Sequence, residues 1–351
     1  MRLAIINGPN LNLLGTRQPQ IYGTTTLDAL ENQIEEWANK LGVYPSFHQT
    51  NDESALVTLV QESGRECDGI VLNPGGFTHT SVAIADAVAS VSTPVVEVHL
   101  SDIANREPFR QISLVAPNAI RQISGRGPTG YRDAMRHLVY REKHPFQSVR
   151  YGPHPRNVAD HRTADGSTGL VVLIHGGYWF PGWDRDQLDQ AAGDLTERGY
   201  DTLNVEYRVD PPWPGSGHDV TTALGWAEDH YDKVGLIGHS AGGYLALWAH
   251  RRRPVEVCVG LAAVTDLDIV GDMPPVTELV AAGGPRNLEI PPHSVLFHGL
   301  NDTQVSLDHT RRVEGDTETH FLEGVGHFDV LDPERPHWEA INSTLDHHLK
   351  G

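Results

Sequence analysis

The stretch GLIGHSAGG, Gly235–Gly243, runs from an apolar β-type segment straight into a serine flanked by glycines. The residues after it, YLALWAH, keep apolar side chains at helical spacing. Strand, crowded turn and helix form the setting in which a serine is held at the tip of a strained turn, and Gly238 and Gly242 leave that turn its room. A serine hydroxyl is a poor nucleophile until a histidine accepts its proton and oriented N–H groups receive the oxyanion. The second half of the chain offers both. HGGYW, His175–Trp179, follows the apolar run GLVVLI, where a donor loop belongs. HGLNDTQV, His298–Val305, places Asp302 just after another apolar run, and GVGHFDVL, Gly324–Leu331, places His327 in a glycine-rich loop. Ser240 is therefore the expected nucleophile, His327 its base and Asp302 the acid that orients the base. Backbone N–H groups of Gly176, Gly177 and Ala241 are the expected oxyanion donors.

Asp302 as a turn aspartate and His327 as a plain loop histidine are the competing readings. Their order, each after the right apolar run, weighs against both. His175 is read as a support of its loop, and His239 as packing or pocket lining. Asp346-His347-His348 reads as a solvated helix face rather than a metal site. The order Ser240, Asp302, His327 and the pair HGGYW and GHSAGG resemble the α/β-hydrolase superfamily, and within it kynurenine formamidase and related small esterases. The resemblance implies hydrolysis of a carboxylic ester or amide through an acyl-enzyme, without metal or cofactor. The alternative is a non-catalytic binding or assembly module of the same fold, against which the complete set of catalytic residue types argues.

The 351-residue chain has room for more than this one unit. Its formal charge of −19 argues against nucleic acid and anionic membranes as partners, since both need a basic footprint. The charge is uneven: residues 1–143 hold 12 basic and 15 acidic groups, residues 144–351 hold 15 and 31. That asymmetry is a first hint of two joined units. The cysteines, Cys67 and Cys258, are far apart and suggest no disulfide framework. The opening MRLAIINGPN carries no signal-peptide pattern and no run is long enough to span a membrane, so a soluble, cytoplasmic protein is expected.

In the first half RLAIIN reads as a strand, followed by Leu27, Leu30, Ile34, Trp37 and Leu41 at helical spacing. YPSFHQ, GIVLN, PVVEVHL and AIRQISG continue the strand series, separated by helix-like stretches. This alternation predicts a parallel sheet in a flavodoxin-like doubly wound unit. The polar stretch REKHPFQS, 141–148, interrupts it before a second parallel set begins. The expected organisation is a domain over 1–143, a linker over 144–150 and an α/β-hydrolase domain over 151–351.

Three clusters of the first half lie just beyond predicted strand ends, where open α/β sheets gather ligands: NGPNLNLLGTRQPQIYG, NPGGFTHTS, and EVHLSD with NREPFR. Arg17 near Tyr22 favours a phenolate and so a tyrosine base. His99 at a strand end suits an acid. Asn10, Asn73, His79, Ser101, Arg106 and Arg110 supply neutral donors and cations for a small hydroxylated carboxylate. Singly, each has a dull reading: a solvated charge, packing, a helix cap.

These motifs resemble type II 3-dehydroquinate dehydratase nearly letter for letter over almost that family's length. The resemblance implies cofactor-free, metal-free dehydration of 3-dehydroquinate to 3-dehydroshikimate by anti elimination through an enolate. By matching motif it makes Tyr22 the base at C2, with Arg17 lowering its pKa. Asn10 holds a water that stabilises the enolate, and His99 protonates the departing C1 hydroxyl. Asn73 and the backbone at Leu100 and Ser101 grip the carboxylate. His79, Arg110 and Asp86 bind ring hydroxyls, Asp86 reaching in from a neighbouring subunit, which implies a homo-oligomer, a dodecamer of trimers. Pro108 stands where the family commonly has an acidic residue and leaves Arg106 and Arg110 in register.

Overall fold

In a computed structural model, residues 1–16, 24–103, 106–180, 183–313 and 317–351 are described. The chain divides into two compact units, Met1–Glu142 and Lys143–Gly351.

The first unit is built on strands β1 (Arg2–Asn7), β2 (Tyr44–Gln49), β3 (Gly69–Asn73), β4 (Val95–His99) and β5 (Arg121–Ser124). All pair in parallel in the order β2-β1-β3-β4-β5, the flavodoxin-like doubly wound arrangement. Period-two alternation sends Leu3 and Ile5 of β1 into one apolar core and Ala4 and Ile6 into the other. Helix α1 (Leu27–Leu41) buries Leu30, Ile34 and Ala38 against the first core. It starts on Thr26, whose hydroxyl accepts from Ala29 N, and stops at Gly42 in the left-handed region at φ 68°. Helices α2 (Glu53–Glu66) and α3 (Val82–Ser90) cover the second core, capped by Asp52 and Ser81. Helix α4 (Thr129–Lys143) returns to the first, burying Tyr131, Met135 and Leu138.

The second unit holds an eight-stranded sheet in the order β13-β12-β11-β10-β8-β9-β7-β6. Its strands are β6 (Gln147–Arg150), β7 (Val158–Arg162), β8 (Leu170–Ile174), β9 (Asp201–Val205), β10 (Val234–His239), β11 (Val257–Leu261), β12 (Ser294–Gly299) and β13 (Glu318–Leu322). Only β7 runs against its neighbours, β6 and β9. Numbered within the unit, the order is 1-2-4-3-5-6-7-8 with the second strand reversed, an α/β-hydrolase sheet. Helices α5 (Asp189–Glu197), α6 (Gly215–His230), α7 (Ala241–Arg252), α8 (Pro274–Ala281) and α9 (Trp338–Leu349) complete the layers around it. The five strands from β8 to β12 are buried end to end, as parallel strands covered on both faces must be.

The structure departs from the sequence reading at the seam. Within 144–150, read as a linker, Gln147–Arg150 form β6 at the sheet edge. Its residues are mostly exposed, so a polar edge strand there has the composition of a connector. Strands β7 and β13 were likewise unanticipated, being short and polar. Among the described residues no helix is long and apolar enough to cross a membrane.

Candidate functional site

In the first unit Asn7 at the end of β1 pairs in register with Asn73 at the end of β3, and the strand order reverses direction between these two. A cavity of about 130 Å3 lies beyond this switch point. Asn10, Asn73, His79, His99, Leu100, Ser101, Arg106 and Arg110 all line it. Asp86 does not; it sits on the exposed face of α3. Arg17 and Tyr22 lie outside the described residues.

His99 is held from behind. Its Nε2 lies 2.8 Å from Oε1 of Glu97, a fully buried carboxylate that also accepts from Thr78, Ser113 and Gln122. Burial works to raise the Glu97 pKa, but the hydrogen bond and charge of His99, with the Thr78 and Gln122 donors, hold it below the ordinary carboxylate range. An ionised Glu97 fixes the His99 ring and leaves Nδ1 as the nitrogen able to face a ligand. The sequence reading missed Glu97. Its signal was the spacing in EVH: residues i and i+2 of a strand share a face.

Asn73 is also fixed. Its Nδ2 donates to the Tyr131 hydroxyl (2.9 Å), its Oδ1 accepts from Gly75 N (3.2 Å), and Tyr131 donates to Asn7 Oδ1 (2.6 Å). Burial pushes the Tyr131 phenol well up, so it remains a neutral strut. His79 Nδ1 donates to the Ile112 carbonyl (2.8 Å). Burial, together with the charges of His99 and Arg110, lowers its pKa, so a neutral ring keeps Nε2 as an acceptor. Asn10 takes the left-handed conformation, φ 66°, and its N–H donates to Asn51 Oδ1 (2.8 Å). Arg106 Nη1 donates to Ser101 Oγ (3.1 Å).

In the second unit Ser240 sits between β10 and α7 at φ 56°, ψ −121°. This strained conformation lifts the residue out of the strand before the helix begins. The flanking glycines are required sterically. A Cβ on Gly242 would fall 2.2 Å from the carbonyl oxygens of Ile174 and His175, and one on Gly238 2.4 Å from Gly242 O. Asp302, beyond β12, has Oδ2 2.7 Å from His327 Nδ1, while its Oδ1 accepts from the N–H groups of Gln304 and Val305. A second histidine, His298, fully buried, brings Nε2 within 3.2 Å of the same Oδ2. Burial opposes ionisation of Asp302, but His298, His327 and the Val305 N–H hold its pKa far below the usual range. Ser240 makes no hydrogen bond to His327 among the described residues; such contacts are often long before substrate binds.

The oxyanion candidates separate. Gly176 N–H donates to Gln187 Oε1 (2.8 Å), a bond that competes with its expected oxyanion role. The N–H groups of Gly177 and Ala241 donate to no other group among the described residues. The HGGYW loop is strained over three consecutive residues, Gly177, Tyr178 and Trp179, with φ of 118°, 46° and 60°. His175 braces it, Nδ1 to Gly176 O (2.8 Å) and Nε2 toward Glu206 (3.3 Å). His239, buried beside Ser240, has Nδ1 3.0 Å from Gln187 Oε1 and Nε2 3.0 Å from the His327 carbonyl oxygen. Gln187, Glu206 and His298 were not singled out by sequence, although His298 opens the HGLNDTQV stretch.

Among the described residues, Asp160, Asp186 and Asp189 bring carboxylate oxygens close enough to share a metal ion. Arg185 pairs with Asp160 and Arg162 with Asp189, so arginines already provide the countercharge.

Comparison with known proteins matches the two parts of the chain to different families. The dehydroquinase class II family model matches residues 1–139, and the BD-FAE model matches residues 158–257. The 3-dehydroquinate dehydratase of Dinoroseobacter shibae is 53% identical over 131 residues, covering 37% of this chain and 87% of that relative. The crystal structure of the type II dehydroquinase from Butyrivibrio crossotus, 44% identical, covers 39% of this chain and 97% of its own (TM-score 0.39). Esterase B from Lactobacillus rhamnosis, 21% identical, covers 62% of this chain and 89% of its own (TM-score 0.47).

Proposed function

The chain belongs, through residues 1–139, to the type II 3-dehydroquinate dehydratases, and from this premise we propose that it is a bifunctional enzyme. Residues 1–143 dehydrate 3-dehydroquinate reversibly to 3-dehydroshikimate, and residues 151–351 hydrolyse a carboxylic ester or amide.

In the first reaction Tyr22, its phenol acidified by Arg17, takes the proton from C2. Asn10 holds the water that stabilises the resulting enolate. His99 then gives a proton to the C1 hydroxyl, which leaves as water. Asn73, Leu100 and Ser101 hold the carboxylate, while His79, Arg106 and Arg110 meet the hydroxyl-bearing ring. Asp86 completes the site from another subunit of an oligomer. What supports these roles is the convergence of eight of the residues on one cavity, with ionised Glu97 behind His99.

In the second reaction Ser240 attacks the carbonyl carbon, and His327 takes the serine proton and returns it to the leaving group. Asp302 stabilises the imidazolium, and the N–H groups of Gly177 and Ala241 receive the oxyanion. The supporting observation is the 2.7 Å Asp302–His327 pair beside a serine held at positive φ.

One experiment tests both halves. Dehydratase activity is read by ultraviolet absorbance of the enone product, and hydrolysis with a p-nitrophenyl ester. Tyr22→Phe is expected to abolish the first and spare the second, and Ser240→Ala the converse. Ester hydrolysis unchanged in Ser240→Ala would sink the triad assignment. A panel holding hydroxycinnamoyl quinates and N-formylkynurenine then separates a quinate-releasing hydrolase from a formamidase.

A further inference from the structure

We infer that Gln187 and His239 are positioning residues that tie together the three loops of the hydrolase site; this rests on the serine-hydrolase reading above. Gln187 lies in the 3-10 turn Arg185–Leu188, outside every motif of the second unit. Its Oε1 accepts from Gly176 N (2.8 Å), and because a backbone N–H can only donate, that contact fixes which end of the amide faces the site. The same oxygen lies 3.0 Å from His239 Nδ1. The far side of the His239 ring reaches the carbonyl oxygen of His327 (3.0 Å), and the two imidazoles lie with centroids 4.7 Å apart. One amide and one imidazole thus connect the loop after β8, the serine turn after β10 and the histidine loop after β13.

The connection bears on reactivity because the parts it joins are in contact with the reacting groups. A Cβ on Gly176 would lie 2.8 Å from Ser240 Cβ, so this loop abuts the nucleophile itself. Gly177, one residue on, is a proposed oxyanion donor, and its placement follows from where Gly176 is held. Around it the backbone stays at positive φ for three residues, a conformation that persists only where surroundings over-determine it. On the other flank Trp183 fills the space where a Gly177 side chain would be and stacks on Phe328, centroids 5.5 Å apart, beside His327. The polar clamp and the aromatic stack hold the oxyanion loop from two sides.

The test uses the full chain, with its thermal melt as the folding control. Gln187→Met keeps the length but removes the acceptor, and Gln187→Glu keeps the acceptor. With a p-nitrophenyl ester, Gln187→Met is expected to lower kcat on the order of tenfold to a hundredfold while KM changes little, since small misplacement of reacting groups costs that much. Gln187→Glu is expected to recover most of the loss. The rate of labelling by a fluorophosphonate should fall and recover in parallel. Unchanged kcat in Gln187→Met, or a loss that Gln187→Glu does not recover, would overturn the clamp while leaving the triad standing. A wild-type chain inert to both reagents would overturn the serine-hydrolase reading itself, and the clamp with it.

Discussion

Two buried carboxylates, Glu97 and Asp302, do the same work in two unlike sites: each is kept ionised against the cost of burial by a histidine it orients. For Glu97 this has a consequence for stability. Its folded pKa lies below the unfolded carboxylate value of about 4.3, so the group stabilises the fold above that pH. The contribution fades as pH falls through the folded pKa. Between pH 5 and pH 3 the wild-type chain should therefore lose stability faster than Glu97→Gln. Urea midpoints measured across that window check this; parallel curves would show that Glu97 is not linked to folding. The two residues differ in legibility. Asp302 was found from its place after a strand, whereas Glu97 was passed over as part of an apolar run, because nothing in PVVEVHL tells a buried, fully partnered carboxylate from a tolerated one.

Among elements, the β10–turn–α7 unit is the most tightly specified by local sterics. Gly242 lies against the end of β8, and a methyl group there would meet the backbone oxygens of Ile174 and His175 at 2.2 Å. Ile174 cannot retreat without disturbing its pairing with Gly238. Gly242→Ala should cost about 1–3 kcal/mol or more in the hydrolase unit and lose most ester hydrolysis. A thermal melt followed alongside both activities checks it, and an Ala variant with full esterase activity would refute the steric account. Strong local constraint is also why this element could be read directly from GLIGHSAGG. The edge strands β6 and β13 were not readable in that way. Each is mostly exposed and paired on one side only, so its side chains carry no burial pattern, and its strand character comes from backbone bonds to a neighbour distant in sequence.

For the whole molecule, the proposed role of Asp86 requires a second copy of the first unit, since this chain's Asp86 is exposed on α3 and away from the cavity. The full-length protein should therefore sediment as a multiple of three chains, up to a dodecamer. Mixing inactive Tyr22→Phe with inactive Asp86→Asn subunits should restore part of the dehydratase activity. A monomer with full dehydratase activity would exclude the shared site. By itself the sequence determined two α/β units, their strand periodicity and the order of Ser240, Asp302 and His327, because these depend on local spacing and on apolar patterning. Tertiary structure alone decided that Gln187 occupies the Gly176 N–H, that His298 shares Asp302, and that Thr78, Ser113 and Gln122 gather on buried Glu97. Hydrogen bonds between side chains far apart in sequence leave no periodicity, and only the packed sheet brings their atoms within 3 Å or so of one another.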